Sequence, residues 1–373
     1  MHNKKTYLII SELNDHGGGT IYAKKNLDYF FSNYEVFELN KRKNLIAFAN
    51  KIYASRFFNL LFRIPLMVFL KYVFIKILGY VNSKSFIREH ANKQINFIIA
   101  YTEDLLSIEI AQRISKEMGI KFHLITMDFP WTYKNSSFNN YFIKKFFFSK
   151  LKEIKSAEFV SDEMQNIAKN NGFKGKSLVS YSSMDLLVQF EGASKSNESN
   201  INLVYTGSPR FKKELKLFND LINIKEQEKI LKIHIYSEYK FYEQIFNHHE
   251  FIKDQNELIK TISQYDIGLI PMSFNKKDRD LVTTSFPGKA STYISAGLPI
   301  LAIAPDYSAI TRIIEQYEIG EVINLNNPEK INKVLENIQT KDYSKNLIGF
   351  KKLMLDRFKG FKETIFGINY VEK

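Results

Sequence analysis

Residues 283–305, TTSFPGKASTYISAGLPILAIAP, hold the chain's clearest chemistry. A polar approach runs through Phe286-Pro287-Gly288 into Lys289. A short helix is predicted over 290–296, Gly297 stops it, and an apolar run follows that reads as a buried strand. A helix N-terminus with free N–H groups and a flanking lysine is an anion site. A lysine in the first helical turn is slightly unfavourable for the macrodipole, and a bound anion at Gly288–Ala290 would resolve that conflict. A second cluster, Thr206-Gly207-Ser208-Pro209-Arg210-Phe211-Lys212-Lys213, opens another predicted helix. There Arg210 and Lys213, just past a strand end, can hold a phosphate-type anion. A solvated basic loop is the plainer reading, and Lys289 with Gly207 is what favours the phosphate. Gly17-Gly18-Gly19, behind His16, reads equally as a tight turn or as backbone brought close to a ligand. Asp128 ends a predicted strand ahead of Phe129-Pro130-Trp131. It is placed either to orient or deprotonate a hydroxyl or to close an Asx turn. Asp15, Glu103 and Asp104 are the other polar groups at strand ends of the first half. No Asp-x-Asp or thiolate cluster points to a metal.

The elements that must position these groups alternate strand and helix in two blocks. The first has predicted strands at 6–11, 34–39, 95–101, 121–127, 157–160 and 177–181, with helices at 20–31, 103–118 and 162–170. The second has strands at 201–206, 231–236, 249–252, 267–271, 299–304 and 321–323. Its helices fall at 212–223, 239–246, 255–264, 307–315 and 328–338. Such alternation predicts α/β architecture with parallel sheets covered on both faces. The polar stretch 191–200, EGASKSNESN, reads as a linker, and 341–366 as a helical tail returning across both domains. The expected division is 1–190, 201–340 and 341–373, with a ligand cleft between two doubly wound domains. A chain of 373 residues suits two cores.

There are no cysteines, which excludes a disulfide scaffold and a thiol nucleophile and fits a reducing compartment. The first fifteen residues do not read as a signal peptide, because the apolar run at 7–10 is too short. Lys and Arg number 53 against 40 Asp and Glu, net +13. Residues 1–190 carry +11 of that, and 39–88 contain ten basic residues and no acid. The long apolar run 57–81 is interrupted by Arg63, Lys71 and Lys76 and is expected to break at Pro65. Charges at those positions oppose a membrane span; a basic, aromatic segment in the interface fits better, as does 141–155. The plainer reading is a core helix pair with snorkelling lysines. Apolar residues dominate the basic window and no nucleic-acid motif is present, so nucleic acid is not an expected partner.

On these residues the chain resembles GT-B fold glycosyltransferases, close to the family 4 retaining enzymes of bacterial polysaccharide assembly. The resemblance spans nearly the whole length, best over 203–322 and weakest over 41–93. It is carried by the glycine loop after the first strand and by the Gly207-Arg210-Lys213 grip. Residues 255–271, QNELIKTISQYDIGLIP, and the lysine-to-glycine stretch 286–299 also carry it. It departs at one point. The two glutamates of the family's Glu-x7-Glu motif fall here on Thr284 and Thr292. A threonine at 292 offers one hydroxyl to a ribose rather than a bidentate carboxylate. At the His-Asp pair of many relatives, Met127 replaces the histidine and Asp128 remains.

The resemblance implies a nucleotide-sugar glycosyltransferase. The second domain would bind a UDP- or GDP-sugar through Gly207, Arg210, Lys213, Thr284, Gly288, Lys289 and Thr292, and Gly17–Gly19 would approach the donor from the first domain. Asp128 and His16 would serve a lipid-linked or glycan acceptor, with the base near Ile252 and Lys253. It further implies retention and no cofactor beyond the co-substrate, while the lack of an Asp-x-Asp cluster, the lack of cysteine and the basic window lead to the expectation of no metal and of a cytoplasmic protein lying on an anionic membrane face. Two rivals are a catalytically silent GT-B partner protein, which the missing glutamates suit, and a sugar-nucleotide epimerase of the same fold.

Overall fold

The structure is a computed structural model that describes residues 5–10, 34–38, 65–101, 105–132, 137–181, 200–208, 210–224, 230–239 and 246–366. Residues 15–33, with His16 and the glycine loop, lie outside the described residues, as do 39–64, Glu103 and Asp104, the linker stretch and 240–245. The chain forms two compact units, Met1–Val179 with Gly360–Lys373, and Ser180–Lys359.

The first unit holds a parallel sheet of β1 (Lys5–Ile10), β2 (Tyr34–Glu38), β3 (Ile95–Tyr101), β4 (Lys121–Thr126), β5 (Ser156–Phe159) and β6 (Lys176–Val179), in the order β2-β1-β3-β4-β5-β6. The inner strands are continuous apolar runs such as INFIIAY, because helices cover both faces. Those helices include α1 (Pro65–Glu89), α2 (Leu105–Met118), α3 (Ser137–Leu151) and α4 (Asp162–Asn170). Ser161 caps α4 by accepting from the Met164 N–H, and Asp162 and Glu163 complement its dipole. Pro65 is the first residue of α1, where a missing N–H costs nothing, and the part of the apolar run before it lies outside the described residues.

The second unit holds β7 (Asn200–Thr206), β8 (Ile230–Tyr236), β9 (Asn247–His249), β10 (Ile267–Pro271), β11 (Ile300–Ile303) and β12 (Gly320–Ile323), all parallel, in the order β12-β11-β10-β7-β8-β9. Its helices are α5 (Lys212–Ile224), α6 (Gln255–Ile262), α7 (Arg279–Thr284), α8 (Gly288–Ser295), α9 (Ala309–Tyr317), α10 (Ile331–Thr340) and α11 (Ser344–Phe366). The strand order reverses between β7 and β10, and the carboxyl ends flanking such a reversal are where open α/β sheets bind ligands. β9 is shorter than the predicted 249–252. The chain leaves the sheet edge after His249 so that Asp254 can cap α6, accepting from the Glu257 N–H.

Candidate anion site at the carboxyl end of the second sheet

β7 delivers Tyr205 and Thr206 to the switch point. Gly207 then turns the chain at φ +81°, a left-handed conformation that favours glycine. Its N–H donates to Tyr236 O at 2.8 Å, fixing the turn to β8. The following loop is folded around one carbonyl. Ser208 O accepts from the Tyr205 hydroxyl at 2.5 Å and from the Arg210 N–H at 2.9 Å. Arg210 is exposed with its guanidinium over the Phe211 ring at 5.7 Å. Lys213 is exposed in the first turn of α5.

From the other side of the switch point comes α8, starting at Gly288 with Lys289 as its second residue. No side chain caps this helix. The Ala290 N–H is already taken by Pro287 O at 2.9 Å, so the groups left to a ligand are those of Gly288 and Lys289 rather than the three expected. Lys289 is half-buried, with its Nζ 3.8 Å from the centroid of the Tyr205 ring. Burial pushes its pKa down to about 7, and no carboxylate among the described residues offsets that. Tyr205 therefore joins the two predicted cationic clusters. Its face carries the Lys289 ammonium, and its hydroxyl holds the loop that presents Arg210.

Tyr293, one turn further along α8, locks this arrangement. Its hydroxyl accepts from the Thr206 N–H at 3.0 Å and donates to Leu269 O at 3.3 Å, tying α8 to both strands of the switch point. The ring lies against Gly268 of β10, where an added Cβ would come within 2.4 Å of it. Burial keeps the phenols of Tyr205 and Tyr293 well above the usual range, so both stay protonated donors. Sequence reading missed Tyr205, Tyr293 and Gln255. For Tyr293 a signal existed: a glycine inside a buried strand marks close approach of another group. Tyr205 gave none, since a tyrosine in a strand reads as core.

The two threonines at the glutamate positions are engaged. Thr292 is buried, and its Oγ1 accepts from Gln255 Nε2 at 2.9 Å. Thr284 is buried and donates back into α7, to Asp280 O at 2.8 Å. Arg312 ties the last turn of α7 to the start of α9 by donating to Thr283 O and Tyr307 O, each at 2.9 Å. Ile252 and Lys253 lie in the loop before Asp254, next to a Tyr236–His249 ring stack at 4.6 Å.

In the first unit, Asp128 stands half-buried in the turn directly after β4. Phe129 and Trp131 stack at 4.3 Å and wedge this turn against Phe147 and Phe148 of α3. An Asx turn would need an N–H two residues on, and that residue is Pro130, which has none.

Comparison with known proteins places this architecture. Over 98% of the chain and 99% of the other, it is similar to the apo form of the lipopolysaccharide outer core galactosyltransferase WaaB, at 14% identity and a TM-score of 0.60. It is also similar to the E. coli trehalose-6-phosphate protein bound with UDP-2-fluoro glucose, at 9% identity, 98% coverage of each chain and a TM-score of 0.60. The α,α-trehalose 6-phosphate synthase from Burkholderia multivorans matches at 9% identity, covering 98% and 95% of the two chains, with a TM-score of 0.58. The fold is that of the GT-B glycosyltransferases, an α/β class with two doubly wound parallel sheets. Residues 203–356, which contain the whole anion site, match the family described as glucosyltransferase 3-like, C-terminal domain. No curated protein matches the chain by sequence.

Proposed function

We propose that this protein is a glycosyltransferase that moves a hexose from a UDP- or GDP-sugar to a hydroxyl of a lipid-linked or polysaccharide acceptor. The observation that carries this reading is Lys289: a lysine at an uncapped helix N-terminus, on the face of Tyr205, without a carboxylate partner among the described residues. A diphosphate supplies the missing countercharge and occupies the free N–H groups beside it. Support comes from the family match over the same residues and from the GT-B fold. Arg210 and Lys213 complete the grip and stabilise the departing nucleoside diphosphate, so no metal is needed in this scheme. The anomeric C–O bond to phosphate breaks, and the acceptor oxygen bonds to the same carbon on the same face. The acceptor proton passes to the leaving phosphate oxygen, and Asp128 orients the acceptor. Gln255 and Thr292 together stand where the family's ribose-binding glutamate would act.

One observation favours a second reading, a silent partner protein of the same fold: both glutamate positions are threonines already engaged by protein groups. A thermal-shift screen with UDP, GDP, CMP and dTDP, followed by donor hydrolysis, separates the two. Stabilisation by one nucleoside diphosphate together with slow hydrolysis of its sugar supports the transferase. Binding without hydrolysis or transfer supports the partner, and no shift with any nucleotide refutes the donor site.

A further inference from the structure

Helix α1 is apolar on both of its faces. Inward, Ile75, Leu78 and Phe86 are buried in the first unit's core. Outward, Leu70, Val73, Ile77, Tyr80 and Val81 form a stripe at helical spacing, with Ile77 54% and Leu70 51% exposed. At 1.5 Å per residue the stripe runs about 16 Å. The outer face of a helix on a water-facing surface is normally polar. α3 extends the patch. It packs on α1 through Tyr72 against Phe142 and Phe146, at 6.2 and 5.2 Å, and leaves Tyr141 61% exposed.

The two helices are rich in cations. α1 contains no acidic residue before Glu89, and α3 contains none. Arg88 and Lys145 are exposed on the two helices, and Lys71 and Lys144 are partly so. Lys76 and Lys150 are drawn to Glu109, and Lys84 is paired with Glu117 at 2.8 Å. An exposed apolar stripe on cation-rich helices is the pattern that binds the headgroup layer of an anionic bilayer, rings and aliphatic chains inserted and lysines at the phosphates. No helix among the described residues is long and apolar enough to cross a membrane. A second copy of the chain suits the patch poorly, since a two-fold contact would set these cationic flanks against themselves.

We infer that the outward face formed by α1 and α3 is a docking surface for an anionic lipid bilayer, on which the protein lies without crossing it. The inference does not rest on the donor-site reading. Flotation of the full chain with vesicles of phosphatidylcholine plus phosphatidylglycerol, against phosphatidylcholine alone, tests it. Wild type is expected to float with the anionic vesicles and remain behind with the neutral ones. Leu70→Ser/Ile77→Ser and, separately, Arg88→Glu/Lys145→Glu are each expected to lower the floated fraction by more than about tenfold. All four positions are exposed or partly so, and melting temperatures should confirm that both variants stay folded. Failure of wild type to float, equal flotation with neutral vesicles, or unchanged flotation of both variants overturns the proposal. So does a wild-type dimer that the apolar variant splits while flotation is unchanged. Nucleotide thermal shifts measured on the same samples report the donor site independently, so either claim can fail alone.

Discussion

Two charge sites, one in each unit, both involve lysine and end in opposite states. In the first unit Glu109 is 1% exposed and gathers cations from three helices: Lys76 of α1 at 3.2 Å, Arg113 of α2 at 2.7 Å, and Lys150 of α3. Burial alone would push the Glu109 carboxyl up, but Lys150, Lys76 and Arg113 outweigh it and hold the carboxyl below its usual range. The charges are satisfied within the protein, and the cluster fastens α1, α2 and α3 to one another. In the second unit Lys289 is half-buried against an aromatic face with no such partner among the described residues, and its pKa falls to about 7. A cluster whose charges cancel internally stabilises the fold. A charge left open at a strand-end crevice is a demand for a ligand.

That contrast yields tests of decreasing size. Glu109→Ala leaves three cations around a vacated buried carboxylate and should cost about 3–5 kcal/mol in denaturant unfolding, with nucleotide affinity unchanged in the folded fraction. A change below about 1 kcal/mol would show that the cluster is not structural. Gly268→Ala drives a methyl into the Tyr293 ring and should cost about 1–3 kcal/mol while also weakening nucleotide binding, since Tyr293 ties α8 to β7. Loss of stability without loss of affinity would uncouple the lock from the site. The open charge makes a pH prediction. Free Lys289 sits near 7 instead of its ordinary 10.5, so between those values the unfolded chain holds a proton that the folded chain lacks. Stability from this group therefore rises with pH across that window, and Lys289→Met should flatten the rise. A bound diphosphate raises the lysine back towards its ordinary range. Calorimetry in buffers of different ionisation enthalpy near pH 8 should then show up to about one proton taken up per nucleotide. Smallest, Tyr205→Phe removes the hydroxyl that holds Ser208 O, for about 1 kcal/mol in nucleotide binding.

Much of the fold was legible because its signals are local. Parallel strands buried on both faces are continuous apolar runs, so strands such as 95–101 and 267–271 were found at their true boundaries. Helix α4 was found at 162–170 because Ser161 and the two acids after it announce its start. Pro65 marked a boundary because a proline is tolerated at the first position of a helix and not inside one, and α1 starts there. Lys289, Gly207 and Arg210 were legible as residue types next to strand ends. Their convergence was not, because it runs through Tyr205, whose role depends on a contact with a residue more than eighty positions away. Gln255 was hidden for the same reason, since its bond to Thr292 spans 37 residues.

The central claim, that the second unit clasps the diphosphate of a nucleotide sugar at Lys289, is met most directly by calorimetric titration of UDP and GDP into wild type and Lys289→Met. The account predicts that at least one nucleotide binds wild type, that the variant binds it roughly thirtyfold or more weakly, and that the ligand-free variant is no less stable at pH 7. Equal affinity in the two proteins, or no binding of either nucleotide to wild type, would contradict it.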